Sequence, residues 1–172
     1  EDVRSSVTGR KMRILQEVPI VTMQINEING IDKKENEEKP DEENYSRWLY
    51  NREFRVTYRD TLIKSETLTS GELIPLGAKG DSIFVSLERG FGEGNNMKLG
   101  DELVFNVQGR PIKTYIGSFR DVKFNQVSTN FLVLFPNGVL EQAPKFHVII
   151  TKTQNDRQAA DVQSEIVREF PN

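Results

Sequence analysis

The segment from Met12 to Ile28 constrains the fold more than any other. Ile14, Val18, Ile20, Val21, Met23, Ile25 and Ile28 form a β-branched run that alternates through Val21, Met23 and Ile25, and Asn29-Gly30 closes it. Branched side chains lose rotamer freedom in a helix but pack well on a pleated surface, and Asn-Gly supplies the positive φ of a tight hairpin turn. One long strand ending in a turn is predicted.

The same period recurs through most of the chain after residue 50. Phe54, Val56 and Tyr58 alternate with Arg55, Thr57 and Arg59, which predicts a half-buried strand. Ser70-Gly71 reads as a turn, Ile83 to Leu87 as a strand, and Ser86 as the cap of a turn running through Gly90, Gly92, Gly94 and Asn95-Asn96. Leu99-Gly100-Asp101 precedes a hairpin in which Leu103, Phe105 and Val107 turn at Gly109-Arg110-Pro111 into Ile112, Thr114 and Ile116. Val122 to Phe124 and Phe131 to Phe135 read as further strands, the second stopped by Pro136-Asn137-Gly138. Phe146 to Thr151 is continuous and β-branched, as expected of a central strand.

Helical signals are few. Val162, Ile166, Val167 and Phe170 have helical spacing, with Arg168 near the end and Pro171 as the stop. Val3 and Val7 fit a helix end stopped near Gly9. Asp32 to Asn44 is charged and almost without apolar residues, so a solvated loop is expected, with Asp41 capping a short helix through Tyr45, Trp48 and Leu49. The fold class is α+β. Residues 1–31 and 143–172 are expected to form a strand-helix subdomain, 32–50 an acidic loop and short helix, and 51–142 an inserted β-rich lobe.

Composition narrows the chemistry. The 172 residues carry 23 basic and 26 acidic side chains, a net charge of −3, and this disfavours nucleic acid, whose phosphates need a basic face. The absence of Cys removes disulfides, thiolate metal sites and cysteine nucleophiles, and the single imidazole, His147, would have to serve any His-based site alone. No cofactor or metal site is expected, and EF-hand spacing is missing. The densest apolar stretch, Phe131 to Phe135, is far short of the roughly 20 residues of a membrane span, so the chain is expected to be soluble. It opens on Glu1-Asp2-Val3-Arg4 with no signal-peptide pattern, and reads as a segment of a longer protein.

Six short segments recur together in an order that identifies a family. They are Asn51-Arg52-Glu53-Phe54, Tyr58-Arg59-Asp60-Thr61-Leu62, Val85-Ser86-Leu87-Glu88, the run Leu99-Gly100-Asp101 through Gly109, Ser118-Phe119-Arg120-Asp121-Val122, and Asn130-Phe131 through Pro136. From about Val18 to Phe170 the chain resembles the extracytoplasmic (periplasmic) domain of an ABC transporter permease of the FtsX/MacB-like superfamily. The closest branch is the predicted permease associated with lysophospholipase biosynthesis. Where the family continues Val-Ser-Leu-Glu as an apolar helix, Gly90, Gly92 and Gly94 imply a short or broken one, and Phe124 stands at a common Trp position. The resemblance implies a non-catalytic domain between two membrane helices of an inner-membrane permease. Residues 1 and 172 then lie on one side, the strand-helix subdomain is membrane-proximal, and a separate cytoplasmic ATPase hydrolyses ATP. Implied partners are the permease's own membrane helices, that ATPase and a second copy of the domain; the implied substrate is lipid-like or hydrophobic.

Arg120, Asp121, Asn130, Phe131 and Trp48 are the candidate contact or structural signature residues. A buried Arg needs a carboxylate partner, so Arg120 is expected to fix the lobe more than to bind substrate. Trp48, with Tyr45 and Tyr50, is either core or an exposed contact. His147 is expected to be a hydrogen-bonded structural residue, against a pH sensor or ligand. The pairs Asp101/Glu102 and Glu37/Glu38 would serve a hydrolase only if burial split their pKa values. Gly90-Phe91-Gly92-Glu93-Gly94 lacks the Lys-Ser/Thr of a phosphate loop and reads as a flexible connector. The rival to the permease is a stand-alone β-rich module that binds carbohydrate or peptide through exposed aromatics.

Overall fold

The computed structural model describes residues 13–40, 45–124, 128–153 and 155–169. The expected helix end at Val3 and Val7, the Asp41 cap, Phe170, Pro171 and the placement of residues 1 and 172 lie outside them.

The elements are β1 (Arg13–Ile28), β2 (Ile31–Asp32), α1 (Lys33–Glu38), α2 (Arg47–Asn51), β3 (Phe54–Tyr58), β4 (Glu66–Gly71) and β5 (Ala78–Asp81). They continue with β6 (Phe84–Glu88), α3 (Arg89–Glu93), β7 (Glu102–Val107), β8 (Arg110–Val122), β9 (Val133–Phe135), β10 (Phe146–Lys152) and α4 (Asp156–Glu169). The mixed sheet with a few helices is the expected α+β class. The chain forms two compact units, one of residues up to Val18 and from His147, the other Pro19–Phe146.

In the larger unit the strand pairings close on themselves. The order β1-β3-β9-β6-β8 returns through β7, which pairs with both β8 and β1, so the hydrogen-bonded neighbours form a ring. Closure removes the open edges that an isolated sheet would present. β1 joins the ring twice, through Val21–Met23 to β3 and through Gln24–Ile28 to β7, with a register shift between Ile25 and Glu27. Its alternating Val21, Met23 and Ile25 enter the core with Phe54, Val56, Leu87, Leu103, Phe105, Ile116 and Phe135. β4 attaches outside the ring to β8.

The smaller unit contains the start of β1, through Val18, with β10 and α4. β10 stands at the end of the strand order, not centrally as expected. Its β-branched residues Val148, Ile149 and Ile150 are half-buried, whereas a central strand buries both faces.

Other expectations are corrected by contacts between distant residues. The acidic stretch from Asp32 is not wholly a solvated loop, because Lys33–Glu38 is helical. Asp32 caps it by accepting from Glu35 N at 2.8 Å, and Glu35 returns the bond to Asp32 N. Asn36 is buried and exchanges two hydrogen bonds with the backbone of Tyr45, at 2.8 and 2.9 Å, imitating a strand pair with its side chain. Ser70-Gly71 ends β4 and is no turn; the exposed polar residues of β4 carry no alternation that would mark it as a strand. Val122 does not start a separate strand: β8 runs unbroken to it because β6, β7 and β4 all pair along its length. The hairpin turns at Gln108-Gly109, with Arg110 already paired to Val107. Ser86 is buried within β6, and Glu88 caps α3 instead, its carboxylate accepting from Gly90 N and Phe91 N. The glycine segment is a short helix, not a flexible connector, since Gly92 lets α3 lie against Phe119; a Cβ there would sit 2.2 Å from the ring.

Two glycines with positive φ separate backbone strain from crowding. At Gly71 (φ +71°) a Cβ would meet the Gly117 carbonyl oxygen at 2.2 Å, whereas at Gly30 (φ +76°) nothing lies within 4 Å. Gly30→Ala is expected to cost about 1 kcal/mol from left-handed strain alone. Gly71→Ala should cost about 2 kcal/mol more, because backbone must shift as well. Urea titration of the two variants compares these costs directly.

Candidate functional site

Arg120 sits in β8, paired with Leu68 of β4 on one side and Glu88 of β6 on the other. It is wholly buried, and burying a guanidinium costs several kcal/mol unless its donors are engaged. They are. Nε donates to Glu66 Oε1 at 3.2 Å, Nη1 to the Ser86 carbonyl at 2.7 Å, and Nη2 to the Phe131 carbonyl at 2.5 Å. Glu66, at the start of β4 and also buried, accepts a second ion-pair bond at Oε1 from Arg59 Nη2 at 2.6 Å. Its Oε2 accepts from Ile63 N at 3.2 Å, and Arg59 Nε donates to the Thr61 carbonyl at 3.0 Å.

Electrostatics follow from that geometry. Burial would push the Glu66 carboxyl up, but the Arg59 hydrogen bond, the Arg59 and Arg120 charges and the Ile63 N–H outweigh it and hold the group below its ordinary value. Burial pushes the Arg120 guanidinium down, against the charge and hydrogen bond of Glu66. Both carboxylate oxygens of Glu66 and all three nitrogens of Arg120 are engaged. The cluster acts as a knot joining β4, β6, β8 and the approach to β9.

The remaining sequence candidates divide. Phe131 belongs to the knot through its carbonyl, with its ring buried. Asp121 is next to Arg120 in β8 but forms a half-exposed pair with Arg89 at 2.7 Å, a geometry generally worth at most about 1 kcal/mol. Asn130 Oδ1 accepts from Ser128 Oγ at 3.1 Å. Trp48 lies apart from the knot, 39% exposed, edge-on to Phe91 at 6.0 Å and with the Arg52 guanidinium 5.2 Å from its ring centre. It is thus both a packed residue and a partly open surface.

Of the paired carboxylates, Asp101 and Glu102 are in structural use. Asp101 accepts from Lys98 N at 2.8 Å, Glu102 pairs with Lys113 at 3.0 Å, and Glu37 and Glu38 are exposed on α1. His147 is half-exposed with Nδ1 3.6 Å from Glu17 Oε1. Among the described residues no group of three or more His, Asp or Glu is arranged to hold a metal ion, and no helix is long and apolar enough to cross a membrane.

Sequence reasoning missed Glu66 and Arg59. Glu66 opens a polar run without periodicity, and nothing local distinguishes it among 26 acidic residues.

A carboxylate held below its unfolded-state value contributes stability that is complete above the unfolded value, about 4.3, and is lost as pH falls through the folded value. Stability of the chain is expected to fall on acidification below about pH 4.3, and Glu66→Gln should flatten that part of the profile. At pH 7 the same variant should lose about 3 kcal/mol, because Arg120 is left buried without its counter-charge. The double variant Glu66→Leu with Arg120→Met should cost less than the sum of the two single changes, because neither of these two charges is left without the other. Urea unfolding between pH 7 and pH 3 measures all three.

No protein-family model matches the chain. Among curated proteins it is 27% identical over 153 residues to the uncharacterized ABC transporter permease YbbP of Escherichia coli (strain K12), an alignment covering 89% of this chain and 17% of that protein. The chain thus spans about a sixth of the length of this relative. Nearly all of it is similar to one part of an ABC transporter permease, which supports a permease-related domain.

Proposed function

We propose that this chain is the periplasmic domain of an FtsX/MacB-like ABC transporter permease of a bacterial inner membrane, akin to the branch associated with lysophospholipase biosynthesis. It performs no chemistry. A cytoplasmic ATPase subunit hydrolyses ATP, and the domain passes the resulting motion of the permease's membrane helices to a lipid-like or hydrophobic substrate, with a second copy of the domain as a further partner. The observation that carries this reading is the similarity to YbbP over 89% of the chain. The closed ring of strands and the engaged Arg120–Glu66 knot are consistent with it, since a transmitting element must move as a stiff body and not absorb the displacement.

The test is the parent reading frame. About 60 residues beyond each end should contain a span of about 20 predominantly apolar residues. Polar flanks on both sides would overturn the permease reading and favour a stand-alone binding module.

A further inference from the structure

A groove of about 420 Å³ opens in the larger unit, between the tip of the β7–β8 hairpin and the segment 139–144. Ile112, Val139 and Ala143, all half-buried, form its accessible apolar wall, and Gln108, Arg110 and Gln142 its polar rim. The volume is that of small-molecule sites, and the lining combines apolar and polar groups.

Two further features concern the rim. Arg110 is exposed, and among the described residues its guanidinium makes no ion pair. Gln108 has φ +50°, at a turn position where Asn or Gly is the unstrained choice. Gly109 at φ +90° and the bond from Gly109 N to Asn106 Oδ1, 2.7 Å, hold that turn in place. The fold therefore keeps a residue other than Asn or Gly in the left-handed region at the groove's rim, and such strain concentrates where ligands are clamped.

We propose that this groove binds a single-chain amphiphile with a carboxylate head. The hydrocarbon chain lies along Ile112, Val139 and Ala143, and the carboxylate meets the Arg110 guanidinium, whose planar fork matches it, with the Gln108 amide as a further donor. A peptide fits less well, because an extended backbone needs main-chain partners at regular spacing and the wall offers apolar side chains. Identifying this ligand with the transported substrate rests on the permease reading. Binding itself rests on the groove alone and is measured on the isolated 172-residue chain, so the failure of one is distinguishable from the failure of the other.

Decanoate, kept below its micelle concentration, is titrated into the isotope-labelled chain while backbone amide shifts are followed. Saturable shifts confined to residues 107–112 and 139–144 are expected. Arg110→Gln, at an exposed position, should weaken decanoate about tenfold while changing the binding of uncharged decanol by less than about twofold. Unchanged shifts elsewhere in the variant establish that it is folded. Shifts that fail to saturate or that scatter over the surface, or equal decanoate binding by Arg110→Gln, would overturn the proposal. So would tighter binding at this groove of acetyl-Ala-Val-Leu, a tripeptide with a free carboxylate.

Discussion

Arg120 carries a full charge into a place that water does not reach, and the β-rich unit is arranged around satisfying it. The ring of strands is completed by β9, which is three residues long and pairs through two residues with each neighbour. So short a strand supplies few ladder bonds, and the closure draws on contacts around it. Arg120 donates to the Phe131 carbonyl just before β9, Glu88 N donates to the Leu132 carbonyl at 2.7 Å, and Arg59 N donates to the Phe135 carbonyl at 2.9 Å. Asp60 then accepts from both the backbone and the side-chain amide of Asn137, each at 2.9 Å. Arg59 and Arg120 meet on Glu66, so the fixation of β9 and the attachment of β4 share one carboxylate.

That dependence explains why the cluster is structural although its residues have the types found in catalytic sites. A general acid or base is served by a pKa displaced toward neutrality, whereas Glu66, with both oxygens engaged, is displaced the other way. The groove beside the hairpin has the opposite character. Its arginine is exposed and unpaired among the described residues, and its apolar wall is partly open. The ring and the groove both lie in the part of the chain that is similar to one part of a transporter permease.

The relation of fold to sequence differs from element to element. Period-two alternation marked β1, β3 and the β7–β8 hairpin, because burial of one sheet face selects every second residue. The same rule was silent on β4, exposed over most of its length, and misplaced β10, whose β-branched composition says strand but not where in the sheet it stands. The burial of Arg120 was legible as a requirement for a counter-charge, yet its partner lies 54 residues away in a polar run.

The sequence by itself determined that β1, β3 and the β7–β8 hairpin are strands, where the Asn29-Gly30 turn falls and what chemistry a chain without Cys cannot perform. These are local properties, set by side-chain shape, periodicity and residue type. The tertiary structure alone decided that β7 closes the ring between β1 and β8, that Glu66 answers both Arg59 and Arg120, and that Arg110 comes to face the segment 139–144. Those choices depend on which distant surfaces exclude water together. Many pairings of similar strands and carboxylates satisfy the same local rules, and only the packed core selects among them.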